Sequence, residues 1–343
     1  MIVQRRSRGR GFACLRQTAG GCCALPAADS RLWAAAQHDR RFVMDRPPHV
    51  GIILVNWNGL SDTLECVRSC LRLDGPRFRI VIVDNGSSDG SCQTLAASFA
   101  ADPRITLLSA RGNLGFAGGN NRGIAWALDA GADFVWLLNN DTIVNPTTLR
   151  ALVDAASTHS RAGIFGSKIH FRDRPDTIWF AGGFIQARGH HYSRHRGMGE
   201  VDRGQYDRVE EMEFITGCSL LVRAATLRDI RRMTEDYFLY WEDVDWCTRA
   251  RLAGWQCLYV PQSTLMHKVG ATANRQPEMQ RRYETRNRLL YQWRFNRPGA
   301  VEALAFLLAG TIRSYLGGDR HSFRAPLAGA CDFLTGRTGR LEP

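Results

Sequence analysis

Apolar residues between positions 50 and 138 recur in short runs. Residues 50–55, 78–83, 105–108 and 134–138 are rich in Val, Ile and Leu, and polar residues follow each run. Runs of this length read as strands buried on both faces. Between them Leu60, Leu64, Val67 and Leu71 fall at helical spacing after the capping pair Ser61-Asp62. Residues 91–101 and 118–130 read as helices. Asn145-Pro146 opens another helix that runs through Ser157, with proline in its first turn. This alternation predicts an α/β fold: a mostly parallel sheet flanked by helices on both faces. The clusters Asn56-Trp57-Asn58, Asp84-Asn85-Gly86-Ser87 and Asn139-Asn140-Asp141 each follow a strand end. Ligands of open α/β sheets bind beyond the carboxyl ends of the strands, so the three clusters are expected on one rim.

The pattern then loosens. Residues 163–223 contain Gly182-Gly183, a basic stretch at 188–196 and a strand expected at 214–222. They read as mixed strands and loops suited to recognising an acceptor. Residues 280–291 are helical in pattern and strongly basic, and amphipathic helices are expected from Pro298 onward. Residues 1–47 are rich in Arg, Ala, Gly and Cys without strand or helix period. Arg16, Gln17, Asp29 and Arg31 interrupt every stretch that could form the apolar core of a signal peptide. This segment reads as a disordered extension or a misassigned start, with Met44 as the alternative start. The expected division is 1–47, a catalytic unit at 48–295, and C-terminal amphipathic helices at 296–343. Residues 301–315 come nearest to a membrane span but are broken by Glu302 and Arg313.

Net charge of +12 favours anionic partners. Arginine carries it, since Lys168 and Lys268 are the only lysines. The arginines are spread along the chain, and no helix-turn-helix or zinc module is apparent, so nucleic acid is not an expected partner. The ten cysteines include no pair of C-x-x-C motifs. They read as reduced core residues, which favours the cytoplasm.

Four features carry candidate chemistry. Asp141 ends an apolar strand, where a carboxylate can hold a hard divalent cation that bridges a diphosphate, or else cap the next helix. His267 can complete a metal site begun by a distant aspartate. Tyr240-Trp241-Glu242-Asp243-Val244-Asp245-Trp246 sets three carboxylates among aromatic rings. It suits a general base of raised pKa, or a helix N-terminus favoured by the dipole. The glycine-rich run from Gly112 to Asn121 lets backbone approach a ligand before a helix N-terminus, yet it fits neither the P-loop nor the dinucleotide fingerprint.

Together these stretches resemble the inverting glycosyltransferases of family 2, which have the GT-A fold, and most of all bacterial rhamnosyltransferase-like enzymes. The resemblance covers roughly residues 50–290. It rests on Ile53-Leu54-Val55-Asn56-Trp57-Asn58, Val83-Asp84-Asn85-Gly86-Ser87-Ser88-Asp89-Gly90, the run from Asn113 to Gly123, Leu138 to Asp141, Thr216-Gly217-Cys218, Trp241 to Trp246, and His267. It implies a nucleotide-binding set of Val55, Asn56, Asp84, Asn85, Asn113, Gly115, Asn121 and Asn140, with Asp84 at the base. It also implies Asp141 and His267 as ligands of Mg²⁺ or Mn²⁺, and Asp243 as the base beside Glu242. The first position of the metal motif is Asn139 rather than aspartate. The implied reaction moves a sugar from a UDP- or dTDP-sugar donor to a glycan or lipid-linked acceptor. Family resemblance and the basic helix suggest peripheral contact with the inner face of the plasma membrane. The competing readings are a nucleotidyltransferase, whose glycine- and Arg/Lys-containing first loop has no counterpart in Asn56-Trp57-Asn58-Gly59, and a catalytically inactive nucleotide-sugar-binding protein.

Overall fold

The computed structural model describes residues 46–185, 193–269, 277–316 and 323–341. The expectations for residues 1–45 and for most of the basic stretch at 188–196 lie outside them. The chain opens with alternating strands and helices: β1 (His49–Asn56), α1 (Leu60–Cys70), β2 (Arg77–Asp84), α2 (Ser91–Phe99), β3 (Ile105–Ser109), α3 (Gly115–Asp129) and β4 (Phe134–Leu138). β1 pairs in parallel with both β2 and β4, and β2 with β3. The apolar runs of β1, β2 and β4 are buried because helices cover the sheet, which is why they lack alternation.

After β5 (Thr142–Val144) and α4 (Thr148–Thr158) come β6 (Ala162–Phe171), β7 (Ile178–Phe180), β8 (Gly183–Ile185), β9 (Ser193–His195), β10 (Glu210–Glu211) and β11 (Ser219–Arg223). β11 enters the sheet antiparallel, between β4 and β6. The short helix α5 (Ala224–Ile230) leads to a 3₁₀ turn and to α6 (Glu242–Leu252). β12 (Gln256–His267) then runs parallel to β6. Its register slips between Val260 and Thr264, where Pro261 cannot donate to a ladder. The resulting sheet has the path β10-β12-β6-β11-β4-β1-β2-β3, with β5 on β12 and β7 on β6. This is the expected mixed α/β architecture, and the chain closes with α7 (Pro277–Phe295), α8 (Arg297–Leu316) and α9 (Arg324–Leu334).

Two expectations need correction. The strand expected at 214–222 forms regular pairing only from Ser219, while Phe214 makes one isolated bridge to Gly183. The basic helix is α7, and several of its arginines face inward. Arg286 is fully buried and donates to the carbonyls of Asp236, Tyr237 and Gly339. Arg282 pairs with Asp332 at 2.7 Å, and Arg294 with Asp236 at 2.5 Å. These charges hold α7 to its neighbours rather than coat a surface.

Candidate active site

Asn56 and Asp84 end neighbouring parallel strands as register partners. Both are buried, and the Asn56 amide donates to Asp84 Oδ1 at 2.9 Å and to Ser87 Oγ at 3.1 Å. The second oxygen of Asp84 accepts the Ser87 backbone N–H at 3.1 Å. Thr63 Oγ1, one turn into α1, donates to Asn56 Oδ1 at 2.7 Å and accepts the Asn140 amide at 2.8 Å. One hydrogen-bonded chain thus joins the ends of β1, β2 and β4. Thr63 carried no signal beyond its place in the first helix after the first strand.

The glycine-rich run forms the next wall. The Asn85 amide donates to Asn113 Oδ1 at 3.2 Å and to the Gly115 carbonyl at 2.9 Å, while its oxygen accepts the Leu114 N–H at 3.1 Å. Gly115 has φ +75°, and a Cβ there would stand 2.3 Å from the Phe238 carbonyl. Helix α3 lies tightly on β1: a Cβ at Gly119 would stand 2.8 Å from Val55 Cγ1. Asn121 is placed differently from the other residues of the set. Its amide donates to the Met233 carbonyl and Glu235 Oε1, and its oxygen accepts the Met233 N–H. Its polar atoms brace the segment before α6.

Asp141 and His267 are brought together by pairing at the sheet edge. His267 is the register partner of Thr142, and the Lys268 N–H donates to the Asp141 carbonyl at 3.0 Å. His267 Nε2 lies 3.1 Å from Asp141 Oδ1, yet that buried oxygen has no hydrogen-bond partner, and neither has His267 Nδ1. Burial would raise the Asp141 pKa, but His267 and Lys268 outweigh it and hold the carboxyl below its ordinary value. Trp179 stands edge-on to the His267 ring, with centroids 4.5 Å apart. Trp179 also stands edge-on to His195 at 4.7 Å, whose pKa burial lowers to about 4. Neither Trp179 nor His195 had a distinguishing spacing in the sequence.

The donor set fits a small divalent cation in part. Two ligands at about 2.1 Å, adjacent on an octahedron, stand about 3.0 Å apart, close to the observed separation. No group of three or more His, Cys, Asp or Glu gathers among the described residues. Asp141 and His267 can therefore supply two positions and leave the rest to phosphate oxygens and water, as Mg²⁺ sites commonly do.

The acidic cluster divides by direction. Asp245 is buried and accepts from Tyr237 Oη at 3.0 Å, Thr234 Oγ1 at 3.2 Å and Arg249 Nε at 2.6 Å. It is an internal anchor. Asp243 sits in the first turn of α6 and accepts the backbone N–H groups of Gly217 at 2.8 Å and Val244 at 2.8 Å. Burial raises its pKa, and those N–H groups restrain the rise. Glu242 is buried with Oε2 unpartnered; burial, and then the Asp243 charge, push its pKa well up. Phe238, Tyr240 and Trp241 all have positive φ, so the approach to α6 is strained backbone.

The Thr216-Gly217-Cys218 stretch links the two acidic groups. Gly217 N–H holds Asp243, and the Cys218 carbonyl accepts the Asn139 N–H at 2.9 Å. Burial and then the charges of Asp141 and Asp243 raise the Cys218 thiol pKa, so that thiol feels both carboxylates. The site therefore gathers a polar rim, an Asp–His pair and a carboxylate of raised pKa around the carboxyl ends of β1, β2 and β4.

Residues 51–230 match the sequence profile described as Glycosyl transferase family 2. Over 219 residues the chain is 32% identical to the N-acetylglucosaminyl-diphospho-decaprenol L-rhamnosyltransferase of Mycobacterium tuberculosis, covering 58% of this chain and 69% of that one. It is 24% identical over 240 residues to rhamnosyltransferase WbbL of Escherichia coli, covering 64% and 83%. Among solved structures, the mannosyltransferase PcManGT from Pyrobaculum calidifontis, in complex with GDP-Man and Mn²⁺, aligns with TM-score 0.55 at 15% identity, over 85% of this chain and 89% of that one. S. aureus TarS 1-349 aligns with TM-score 0.51 at 14% identity, over 86% and 94%. At such identities the structural likeness is one of fold. With the profile spanning more than half of its length, this chain belongs to glycosyl transferase family 2 and has the GT-A fold.

Proposed function

We propose that the chain transfers a sugar, rhamnose in the first instance, from a UDP- or dTDP-sugar to an acceptor hydroxyl with inversion. The acceptor is a glycan or lipid-linked saccharide of cell-surface polysaccharide or glycolipid synthesis. The observation that carries this reading is the Thr216-Gly217-Cys218 stretch, which ties Asp243 and the Asn139-Asn140-Asp141 turn to one place. The name of the mycobacterial relative supports rhamnose and a diphospho-lipid acceptor.

In this reading Val55, Asn56, Asp84, Asn85, Asn113, Gly115 and Asn140 line the nucleotide side, with Asn121 bracing the wall. Bound to Asp141 and His267, Mg²⁺ or Mn²⁺ would offset the charge of the leaving diphosphate. Asp243 accepts the acceptor hydroxyl proton as that oxygen bonds to the anomeric carbon. The bond from that carbon to the diphosphate breaks, and the nucleoside diphosphate leaves with its electron pair. Glu242, with the higher pKa, keeps its own proton, so a single charge faces the reaction.

Membrane contact, expected of the basic helix and the apolar run at 303–308, rests mainly on α8, since Arg282, Arg286 and Arg294 of α7 have partners within the fold. Val301, Leu308 and Ile312 form an exposed apolar stripe there, though no described helix is long and apolar enough to cross a membrane. Residues 48–295 carry the catalysis in this reading, with 296–343 as the associated helices. A panel of UDP- and dTDP-sugars tests the function. Hydrolysis or transfer of one of them, with release of the nucleoside diphosphate, is the expected result. Formation of UTP or dTTP and a sugar 1-phosphate when pyrophosphate is added to the panel would instead favour the nucleotidyltransferase reading, and binding without turnover an inactive sugar-nucleotide binder.

A further inference from the structure

Behind the N-terminus of α6 lies a cavity of about 550 Å³, within the roughly 300–1,000 Å³ of small-molecule sites. It is bounded by α6, α7, the start of α8 and β8. Asp84, Asp141, Asp243 and His267 are not among its walls. Trp241, however, lines it and directly precedes Glu242 and Asp243. The cavity is lined by Trp241, two residues before the proposed base in sequence, and by Thr248, Arg251 and Leu252 further along α6.

Its chemistry is mixed. Trp241, Tyr291 and Phe295 form an aromatic wall, with successive ring centroids 5.1 and 5.0 Å apart. The Tyr291 hydroxyl is engaged by Thr248 at 2.8 Å, so that ring presents mainly carbon. Among these rings sits Gln292, only 7% exposed, whose Oε1 has no hydrogen-bond partner. Glu213 and Glu302 bring carboxylates to the same wall.

A buried amide oxygen without a partner is costly and calls for a donor. An alkyl chain provides none and would desolvate the two carboxylates. Among the described residues, a phosphate or diphosphate meets two carboxylates against one lining arginine, Arg251. A neutral sugar ring meets both requirements: C–H groups on one face lie against aromatic rings, while edge hydroxyls donate to amide and carboxylate oxygens. We infer that this cavity is a saccharide-binding subsite that holds a sugar of the acceptor glycan beyond the one that reacts at Asp243. The inference rests on the glycan acceptor proposed above.

Saturation-transfer NMR on the full chain tests it, with UDP and dTDP each present at saturation so that the donor site is filled. The probes are N-acetylglucosamine, methyl α-L-rhamnoside and chitobiose, with n-decyl phosphate as the opposing probe. Saccharide signals should persist with nucleotide bound. Gln292→Leu should weaken saccharide affinity about tenfold, as expected for one lost hydrogen bond to a buried group. Glu302→Ala, at an exposed position on the cavity edge, should weaken it too and guards against misfolding of the first variant. Saccharide binding unchanged in both variants overturns the subsite. So does nucleotide binding with no saccharide signal, which leaves the glycosyltransferase reading standing. Decyl phosphate signals lost in both variants, with none from sugars, overturn it in favour of a lipid site. Failure to bind either nucleotide overturns the donor reading on which the subsite rests.

Discussion

His267 Nε2 and Asp141 Oδ1 are 3.1 Å apart, and the contact with His267 holds the Asp141 carboxyl below its ordinary pKa. The separation is set by backbone, through the pairing of His267 with Thr142 and the bond from Lys268 N–H to the Asp141 carbonyl. A contact fixed in this way survives loss of either side chain's partner, which separates ligand roles from folding roles. Asp141→Ala should leave the melting temperature close to wild type, abolish turnover, and remove Mn²⁺ binding measured by calorimetry or electron paramagnetic resonance. Full activity of the wild-type chain in excess EDTA, or unaltered Mn²⁺ affinity in the variant, would exclude this role.

Glu242 gives a pH signature. Its folded pKa lies well above its ordinary value of 4.5, because burial and the Asp243 charge disfavour ionisation. Between those two pKa values the unfolded chain has released a proton that the folded chain retains, so stability falls as pH rises through that window. Glu242→Gln removes the titration. Its melting temperature should fall less than that of the wild type as pH rises above the ordinary glutamate value of 4.5. Parallel melting curves for the two proteins would show that Glu242 ionises normally in the fold.

Gly115 couples the donor wall to the catalytic helix. It has φ +75°, and a side chain there would overlap the Phe238 carbonyl, which accepts the Phe116 N–H at 2.7 Å. Gly115→Ala should destabilise the chain by about 1–3 kcal/mol and displace the strained segment before α6. Turnover should fall along with melting temperature. A variant with wild-type stability and activity would show that this contact is easily relaxed.

Much of this was legible in sequence because the parallel sheet writes itself as apolar runs ended by polar clusters. β4 has the bounds expected, and Asn56, Asp84 and Asp141 stand at the strand ends where the pattern set them. The start of α3 was harder to read. Gly115, Gly118 and Gly119 are poor helix formers, and only packing against Phe238, Leu114 and Val55 explains why glycine is used there. The length of β12 was hidden by Pro261, which sits in the register slip. The arginines of α7 looked like surface charge because their partners Asp236 and Asp332 lie about fifty residues away. Likewise, the partners of Asp245 are visible only in three dimensions.

For α8, the stripe of Val301, Leu308 and Ile312 should bind anionic vesicles at low salt, with Arg297 and Arg313 on the same helix. Replacing Leu308 and Ile312 together by Asn should weaken vesicle partitioning by at least about tenfold while leaving the fold intact, since each removes a leucine-sized apolar surface. Indifference of the wild-type chain to anionic vesicles would rule out the membrane reading.

The division of labour between Asp243 and Asp245 leads to the sharpest test of mechanism. Asp245 is engaged by Tyr237, Thr234 and Arg249, and its loss should act on stability. Asp243 is held by two backbone N–H groups, which favour its ionised form, while burial and the Asp243 charge push the Glu242 pKa well up. The raised pKa of Asp243 makes it a stronger base than an exposed aspartate. Asp243→Asn preserves shape and the oxygen that accepts one N–H, and it removes the basicity. General-base assistance is typically worth about 10²–10⁴ in rate, so kcat should fall by that order. Affinity for UDP or dTDP, measured by calorimetry, should stay near wild type, because the nucleotide side is built from Asn56, Asp84 and Asn85. The pH profile supplies a second readout. Wild-type turnover should rise with pH through a pKa above the ordinary aspartate value of 3.8, and the residual activity of the variant should lose that limb. Equal losses of nucleotide affinity and turnover would instead make Asp243 a residue of binding or folding. The base would then be sought at Glu242.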